Sequence, residues 1–351
     1  TADAAIHLQA LPGEAVPATF TGTADALAWL DTEFPNLSAA AYAAQHAGHT
    51  DIAVDLPLYL VGYLARRRRF DELISLSTLA RDTARTTGRT KAEAAASNSL
   101  GSALARVRRF EEAIEALTTA RTVFQETGDR HSEARAWSNL GLALAGARRF
   151  EEAITAYTTA RTLYRETGDR HGEAGAWSNL GLALTGARRF EEAIEAHTTA
   201  RTLYRETGDR HGEATAWTCL GAALAGARRF EEAIEAHTTA RTLYRETGDR
   251  HGEAGAWSNL GLALAGARRF EEAIEALTTA RTVFQETGDR HGEAGAWSNL
   301  GLALAGARRF EEAIEAHTTA RTLYQEEQRP PQRGHGVDQL RHRPAPGAAV
   351  R

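Results

Sequence analysis

The string Gly-Asp-Arg-His recurs at Gly128, Gly168, Gly208, Gly248 and Gly288, each 40 residues after the last, and Gly88 holds the same phase in a diverged copy. Residues 248 to 276 are identical to residues 288 to 316. A fixed period of this length marks an array in which one supersecondary unit packs against copies of itself. The 351 residues therefore do not divide into unrelated domains as length alone would suggest, and one unit can be read for all.

In the unit from Gly128 to Thr167, Trp137, Leu140 and Leu144 fall at i, i+3 and i+7, with Gly141 at i+4. That spacing is one face of an α-helix. Phe150, Ala153, Ile154, Tyr157, Ala160 and Tyr164 repeat it for a second helix. There is no alternation of period two, so strands are not expected. Gly146-Ala147-Arg148-Arg149 reads as a short turn between the two helices. Gly168 suits a left-handed C-cap, and Asp169 the N-cap of the next helix. Each unit thus reads helix A, turn, helix B, turn, and neither helix can bury its stripe without a neighbouring unit.

The order Trp137, Leu140, Gly141, Leu144, Ala153, Tyr157, Ala160 resembles the tetratricopeptide signature at matching offsets. Gly141, Ala153 and Ala160 stand where that family brings two helices closest, with Trp137 and Leu140 filling the gap. The consensus proline at the end of helix B is missing, and the period is 40 rather than 34; six extra residues must lengthen the helices or their turn. The long period with GDRxGEA and NLG resembles the repeats of Pins/LGN adaptors and kinesin light chains. It is also similar to helical C-terminal regions of actinobacterial signal-transduction ATPases of the NB-ARC type. The resemblance covers residues 90 to 327 and implies an all-α, right-handed superhelical solenoid of about seven helix pairs.

The expected division is an N-terminal segment 1–49 with short helices, a degenerate repeat over 50–88, six units over 89–327, and a tail over 328–351. In the degenerate repeat Leu60, Leu64, Phe70, Leu73 and Ala80 keep phase, but Val61 replaces the glycine. Two short helical patterns occupy residues 24 to 48. The string AWLDTEFPNLSAAAYAA from Ala28 to Ala44 resembles the lead-in to the helical region of the bacterial ATPases, yet no GxxxxGK[ST] phosphate loop occurs in the chain. The tail is rich in Arg, Pro, Gly and His and reads as disordered and basic. Suitable codons for it, read one base later, give DRHSEATAWTNFGTALRQARRF, so a frameshifted repeat is an alternative origin.

Lys and Arg number 41 against 46 Asp and Glu, a net charge of −5. That leaves no bulk basic field for nucleic acid or an anionic membrane. The single cysteine, Cys219, excludes a disulfide framework and a cysteine zinc site, and with no signal peptide at the start points to the cytoplasm. No apolar run reaches the ~18 residues of a membrane span. The chain opens at Thr1 and contains no methionine, which reads as a processed product or a piece of something longer.

Catalytic residues are not expected. His131, His171, His211, His251 and His291 recur at the start of helix A, and His197, His237 and His317 in the aromatic slot of helix B. Packed helices lie about 10 Å apart, and ligands must reach within ~2.1 Å of a zinc ion, so neither row forms a metal site. No cofactor is implied. Paired glutamates such as Glu151-Glu152 point apart on a helix and suit its N-terminus. The arginine pairs Arg108-Arg109, Arg148-Arg149, Arg188-Arg189, Arg228-Arg229, Arg268-Arg269 and Arg308-Arg309 form a ridge. It reads either as a phosphate track or as a solvated turn opposed by the following glutamates; the near-neutral repeat favours the turn.

The resemblance implies that helix A lines a concave groove. Its inward offsets fall on Arg135, Ser138, Asn139, Leu142 and Ala145, and in later copies on Ser178, Asn179, Leu182 and Thr218. They continue on Ser258, Asn259 and Leu262, and then Ser298, Asn299 and Leu302. Asn139, Asn179, Asn259 and Asn299 form a ladder broken by Cys219. An amide row can pair with the main chain of an extended peptide, as the long-repeat adaptors do, or can bond the neighbouring helix. The function expected is a non-catalytic protein- or peptide-binding scaffold. The alternative is the sensor arm of a bacterial signal-transduction ATPase or regulator whose catalytic module is absent from this chain. If the tail is a frameshifted repeat, the stripe with Ile314 and Leu323 is uncapped and invites self-association.

Overall fold

The computed structural model describes residues 20–327, and among these there are fifteen α-helices and no strand. The tail, and the frameshift reading of it, lie outside the described residues. The chain divides into two compact units, Thr1–Ala227 and Arg228–Arg351. The first contains α1 (Thr23–His46), α2 (Thr50–Arg66), α3 (Phe70–Thr86), α4 (Thr90–Arg106), α5 (Phe110–Glu126), α6 (Arg130–Gly146), α7 (Phe150–Thr167), α8 (Arg170–Gly186), α9 (Phe190–Thr207) and α10 (Arg210–Gly226). The second contains α11 (Phe230–Thr247), α12 (Arg250–Gly266), α13 (Phe270–Thr287), α14 (Arg290–Gly306) and α15 (Phe310–Glu327). From α2 onward, even-numbered helices are the A helices and odd-numbered ones the B helices, giving seven pairs in chain order. None of the described helices is long and apolar enough to cross a membrane.

The turns follow from a few residues. Asp169 caps α8 by accepting the Gly172 N–H at 2.8 Å, which satisfies one of the helix's orphan donors. Gly168 closes α7 at φ 74°, where a side chain would be strained. The extra residues of the long period lie in the helices themselves, 17 residues in α6 and 18 in α7.

The A–B turn differs from the sequence reading. Gly146 is not a turn residue but the last residue of α6. A Cβ there would collide with the Phe110 ring of the preceding repeat, so the position is small for close packing. The left-handed residue is Arg148, at φ 63°, and arginine takes this conformation in every A–B turn from Arg68 to Arg308. Backbone bonds fix it: Arg148 N–H donates to Ala145 O at 3.0 Å, and Arg149 N–H to Leu144 O at 2.9 Å.

The two short helical patterns over 24 to 48 are one helix, α1, which runs through Pro35. Tertiary contacts hold it. Leu30 and Phe34 are buried, the Phe34 and Tyr63 rings are 5.8 Å apart, and Asp31 accepts from the Tyr63 hydroxyl and Arg67 Nε at 3.0 Å each. These offset the hydrogen bond that proline removes.

Each unit has a core of small and branched residues. In the first, Leu140, Leu144, Ala153, Ala156 and Tyr157 cluster with Leu180, Leu184 and Ala193 of the next repeat. In the second, Leu260, Leu264, Ala273 and Leu277 cluster with Leu300, Leu304 and Ala313. From α6 onward a buried Glu beside each A-helix start is paired: Glu173 binds Arg170 at 2.9 Å, and Arg170 reaches Glu206 of helix B at 2.6 Å.

Candidate peptide-binding groove

Successive A helices within each unit come into contact, whereas successive B helices from α3 onward do not. Each stack is therefore tighter on its A side, and the inner face is built from A helices. Leu142 and Leu182 stand 37 % and 51 % exposed on this face in the first unit, and Leu262 and Leu302 stand 41 % and 58 % exposed in the second. Large aliphatic side chains left in water at one position of repeat after repeat form a periodic apolar row.

The asparagines beside them divide into two kinds. Asn139 Nδ2 donates to Asn98 Oδ1 at 3.1 Å, and Asn299 Nδ2 to Ser258 Oγ at 3.1 Å. Both bonds run to the preceding A helix, so these amides are engaged in stacking repeats. Asn179 and Asn259 are half-buried without such a bond among the described residues. Ser178 is buried, and Ser138, Ser258 and Ser298 are half-buried. The Thr218 hydroxyl donates to Ala214 O of its own helix at 3.0 Å. Arg135 is exposed, and Gly175, Thr215, Gly255 and Gly295 replace it in later repeats. Cys219 occupies the asparagine position in α10. Burial pushes its thiol up to about 11 and the nearby Tyr204 phenol up to about 12. Cys219 therefore remains a protonated thiol at neutral pH, unsuited to nucleophilic work.

A cavity of about 340 Å³ opens between α2, α4 and α6 on this face. Leu58, Val61 and Phe124 give it an apolar wall, Asn98 an amide, Lys91 and Arg135 two cations, and Asp129 a carboxylate. Of these, sequence reasoning had only Arg135. Leu58, Val61 and Lys91 lie in or next to the degenerate repeat, where offsets from the consensus give no guide.

The arginine ridge of the A–B turns is largely neutralised. Arg189 binds both oxygens of Glu192 at 2.7 and 2.6 Å and Glu151 of the preceding repeat at 3.0 Å. Arg188, the first of that pair, is exposed. A second periodic feature escaped the sequence reading. Each A-helix tryptophan lies against an arginine of the preceding B helix: Arg121 on Trp137, Arg161 on Trp177, Arg201 on Trp217, Arg241 on Trp257 and Arg281 on Trp297, at 4.0 to 4.7 Å from the ring centre. The constant spacing of 16 residues between arginine and tryptophan is the signal that could have revealed it.

The tetratricopeptide-repeat profile matches residues 91–166, 172–246 and 252–326. The chain belongs to the tetratricopeptide-repeat family. No curated protein matches its sequence. Among solved structures, this tetratricopeptide-repeat protein is similar to the apo form of RapI at a TM-score of 0.62 and 12 % identity, over 78 % of this chain and 99 % of that one. It is similar to the signal-transduction ATPase with numerous domains PH0952 from Pyrococcus horikoshii, which has a tetratricopeptide repeat sensor. There the TM-score is 0.66 and the identity 13 %, over 86 % of this chain and 46 % of that one. A Rap protein complexed with competence and sporulation factor gives a TM-score of 0.56 and 13 % identity, over 78 % of this chain and 77 % of that one. At these identities the likeness is one of fold.

Proposed function

We propose that this array is a non-catalytic protein-binding scaffold that holds an extended peptide along the inner, A-helix face. The observation that carries the reading is the row of exposed leucines, Leu142 and Leu182 in one unit and Leu262 and Leu302 in the other. Leucines in water at one face of a repeat do nothing for the core, whereas a peptide laid across them would bury them. The free amides of Asn179 and Asn259 would bond its main chain. In the first unit, the cavity where Lys91 and Arg135 outnumber the Asp129 carboxylate would take an acidic or C-terminal group. A Rap protein of the same fold has been solved with competence and sporulation factor, which supports a binding role for such arrays.

The test is selection of a random-peptide display library on the intact chain, followed by affinity measurement on groove variants. Peptides whose binding ignores Leu142 and Leu182 would refute the assignment.

The second reading, the sensor arm of a signal-transduction ATPase, is favoured by the lead-in from Ala28 to Ala44, now seen as part of α1 packed on the first repeat. Coding DNA upstream of Thr1 without a nucleotide-binding module would remove it. We further propose that the α15 face associates with other copies. Ile314 is 66 % exposed and Phe310 61 %, although the earlier repeats half-bury Ile154 and Phe150. Leu323 takes no part, since it is buried.

A further inference from the structure

Five junctions between repeats carry the arginine–tryptophan pair, and one does not. Because successive B helices stand apart, a gap opens between them with helix A as its floor, and the tryptophan ring fills part of that gap. At the junction of α3, α4 and α5 the tryptophan position is Ser97. The matching arginine, Arg81, is present but lies against no ring among the described residues. Its Nε donates instead to Asp82 Oδ1 at 2.8 Å, and the later repeats have Thr122, Thr162 and Thr202 where Asp82 stands.

A cavity of about 400 Å³ lies at this junction; Ile74, Leu100 and Leu104 are its apolar part, and Arg81, Arg85, Arg109, Glu112 and Glu115 make the rest of its wall mainly polar. At the junction of α13, α14 and α15 the equivalent cavity is about 320 Å³, and Trp297 forms part of its wall. Ser97 also lines the larger cavity. It is 1 % exposed, and its hydroxyl is buried with no hydrogen-bond partner among the described residues. A buried hydroxyl left unpaired costs free energy, and a ligand polar atom would satisfy it.

We propose that the α3–α4–α5 cavity is a binding site for an indole ring. The chain itself shows the fit: five times it places an indole at this position against the arginine of the preceding B helix. Here the indole must come from outside. Ile74, Leu100 and Leu104 would pack on the ring, Arg81 would swing from Asp82 onto its face, and the Ser97 hydroxyl would meet its N–H. A free indole and a tryptophan side chain on a partner polypeptide share this chemistry, and the experiment separates them.

The probes are 5-fluoroindole and N-acetyl-5-fluorotryptophanamide, titrated into the full chain and followed by fluorine NMR, which the six native tryptophans do not obscure. Saturable binding at sub-millimolar to millimolar concentration is expected. Tighter binding of 5-fluoroindole identifies a free indole as the ligand, and tighter binding of the amide identifies a peptide-borne tryptophan. Ser97→Trp supplies the ring from the chain, as the other repeats do, and should weaken either probe at least about 10-fold while raising the melting temperature. If Ser97→Trp loses its helical circular dichroism, Ser97→Phe makes the same test with a smaller ring. No saturable binding to the native chain, or equal binding to a folded Ser97→Trp or Ser97→Phe chain, overturns the proposal.

Discussion

Acid should destabilise the array through two buried histidines, in a slot that three other repeats fill with uncharged residues. His197 and His237 occupy the helix-B slot that holds Leu117, Tyr157 and Leu277 elsewhere. Both are buried, and the His197 ring packs on Gly181 so tightly that a Cβ there would lie 2.5 Å from it. Neither ring nitrogen of His197 has a hydrogen-bond partner among the described residues. Burial pushes both imidazoles down from 6.5 to about 4. Between these values the unfolded chain binds protons that the folded chain refuses, so stability falls as pH drops from about 6.5 to about 4. A shift of this size corresponds to about 3 kcal/mol per histidine at full effect, and to about 2–3 kcal/mol each at pH near 4.5. Urea unfolding followed by circular dichroism at pH 7 and 4.5, on the native chain and His197→Leu/His237→Leu, isolates this contribution from the carboxylates that titrate in both. The variant should be at least as stable at pH 7 and should keep about 5 kcal/mol that the native chain loses on acidification. Parallel losses in the two proteins would refute the reasoning.

Trp257→Ala should cost about 3 kcal/mol, the low end for an aromatic, because the ring is only half-buried. Hydrogen exchange should show the damage centred on α12, α13 and α14, whose residues cluster with Trp257. Asn139→Ala should lower stability by about 1 kcal/mol by leaving Asn98 unpaired, whereas Asn179→Ala should be near neutral in the same urea titration. Ile314→Asp should abolish concentration-dependent association in sedimentation velocity; a native chain that stays monomeric at high concentration would contradict the role given to α15.

The helices and the caps at Gly168 and Asp169 were legible because they depend on residues within one unit, and the 40-residue period repeats the statement six times. The close approach at Gly141 was legible for the same reason: Tyr157, whose ring the glycine admits, belongs to the same unit. What lies between units was not. Gly146 invited a turn assignment because a single repeat contains no hint of Phe110, the ring it makes room for. The strain falls on Arg148, a residue type with no preference for positive φ, since two backbone bonds over-determine it. The asparagine ladder reads as four equivalent groups, yet Asn139 finds an amide at Asn98, and Asn179 finds no such partner. That outcome depends on how far one A helix is set along its neighbour, which periodicity does not encode. The α1 helix ran against local propensity at Pro35, and only its packing on Tyr63 and Arg67 explains it.

The most direct test of the groove is the affinity of a library-selected peptide for three forms of the chain, measured by calorimetry at physiological salt. These are the native protein, Leu142→Ala/Leu182→Ala, and Arg148→Ala/Arg188→Ala in the A–B turns. The leucine variant should keep its helical circular dichroism and lose about 10- to 100-fold in affinity, the worth of two half-exposed leucines buried by the ligand. The arginine variant should bind within about 2-fold of native, because exposed charges are screened at this salt. Binding kept by the leucine variant and lost by the arginine variant would contradict the groove and move the site to the arginine edge.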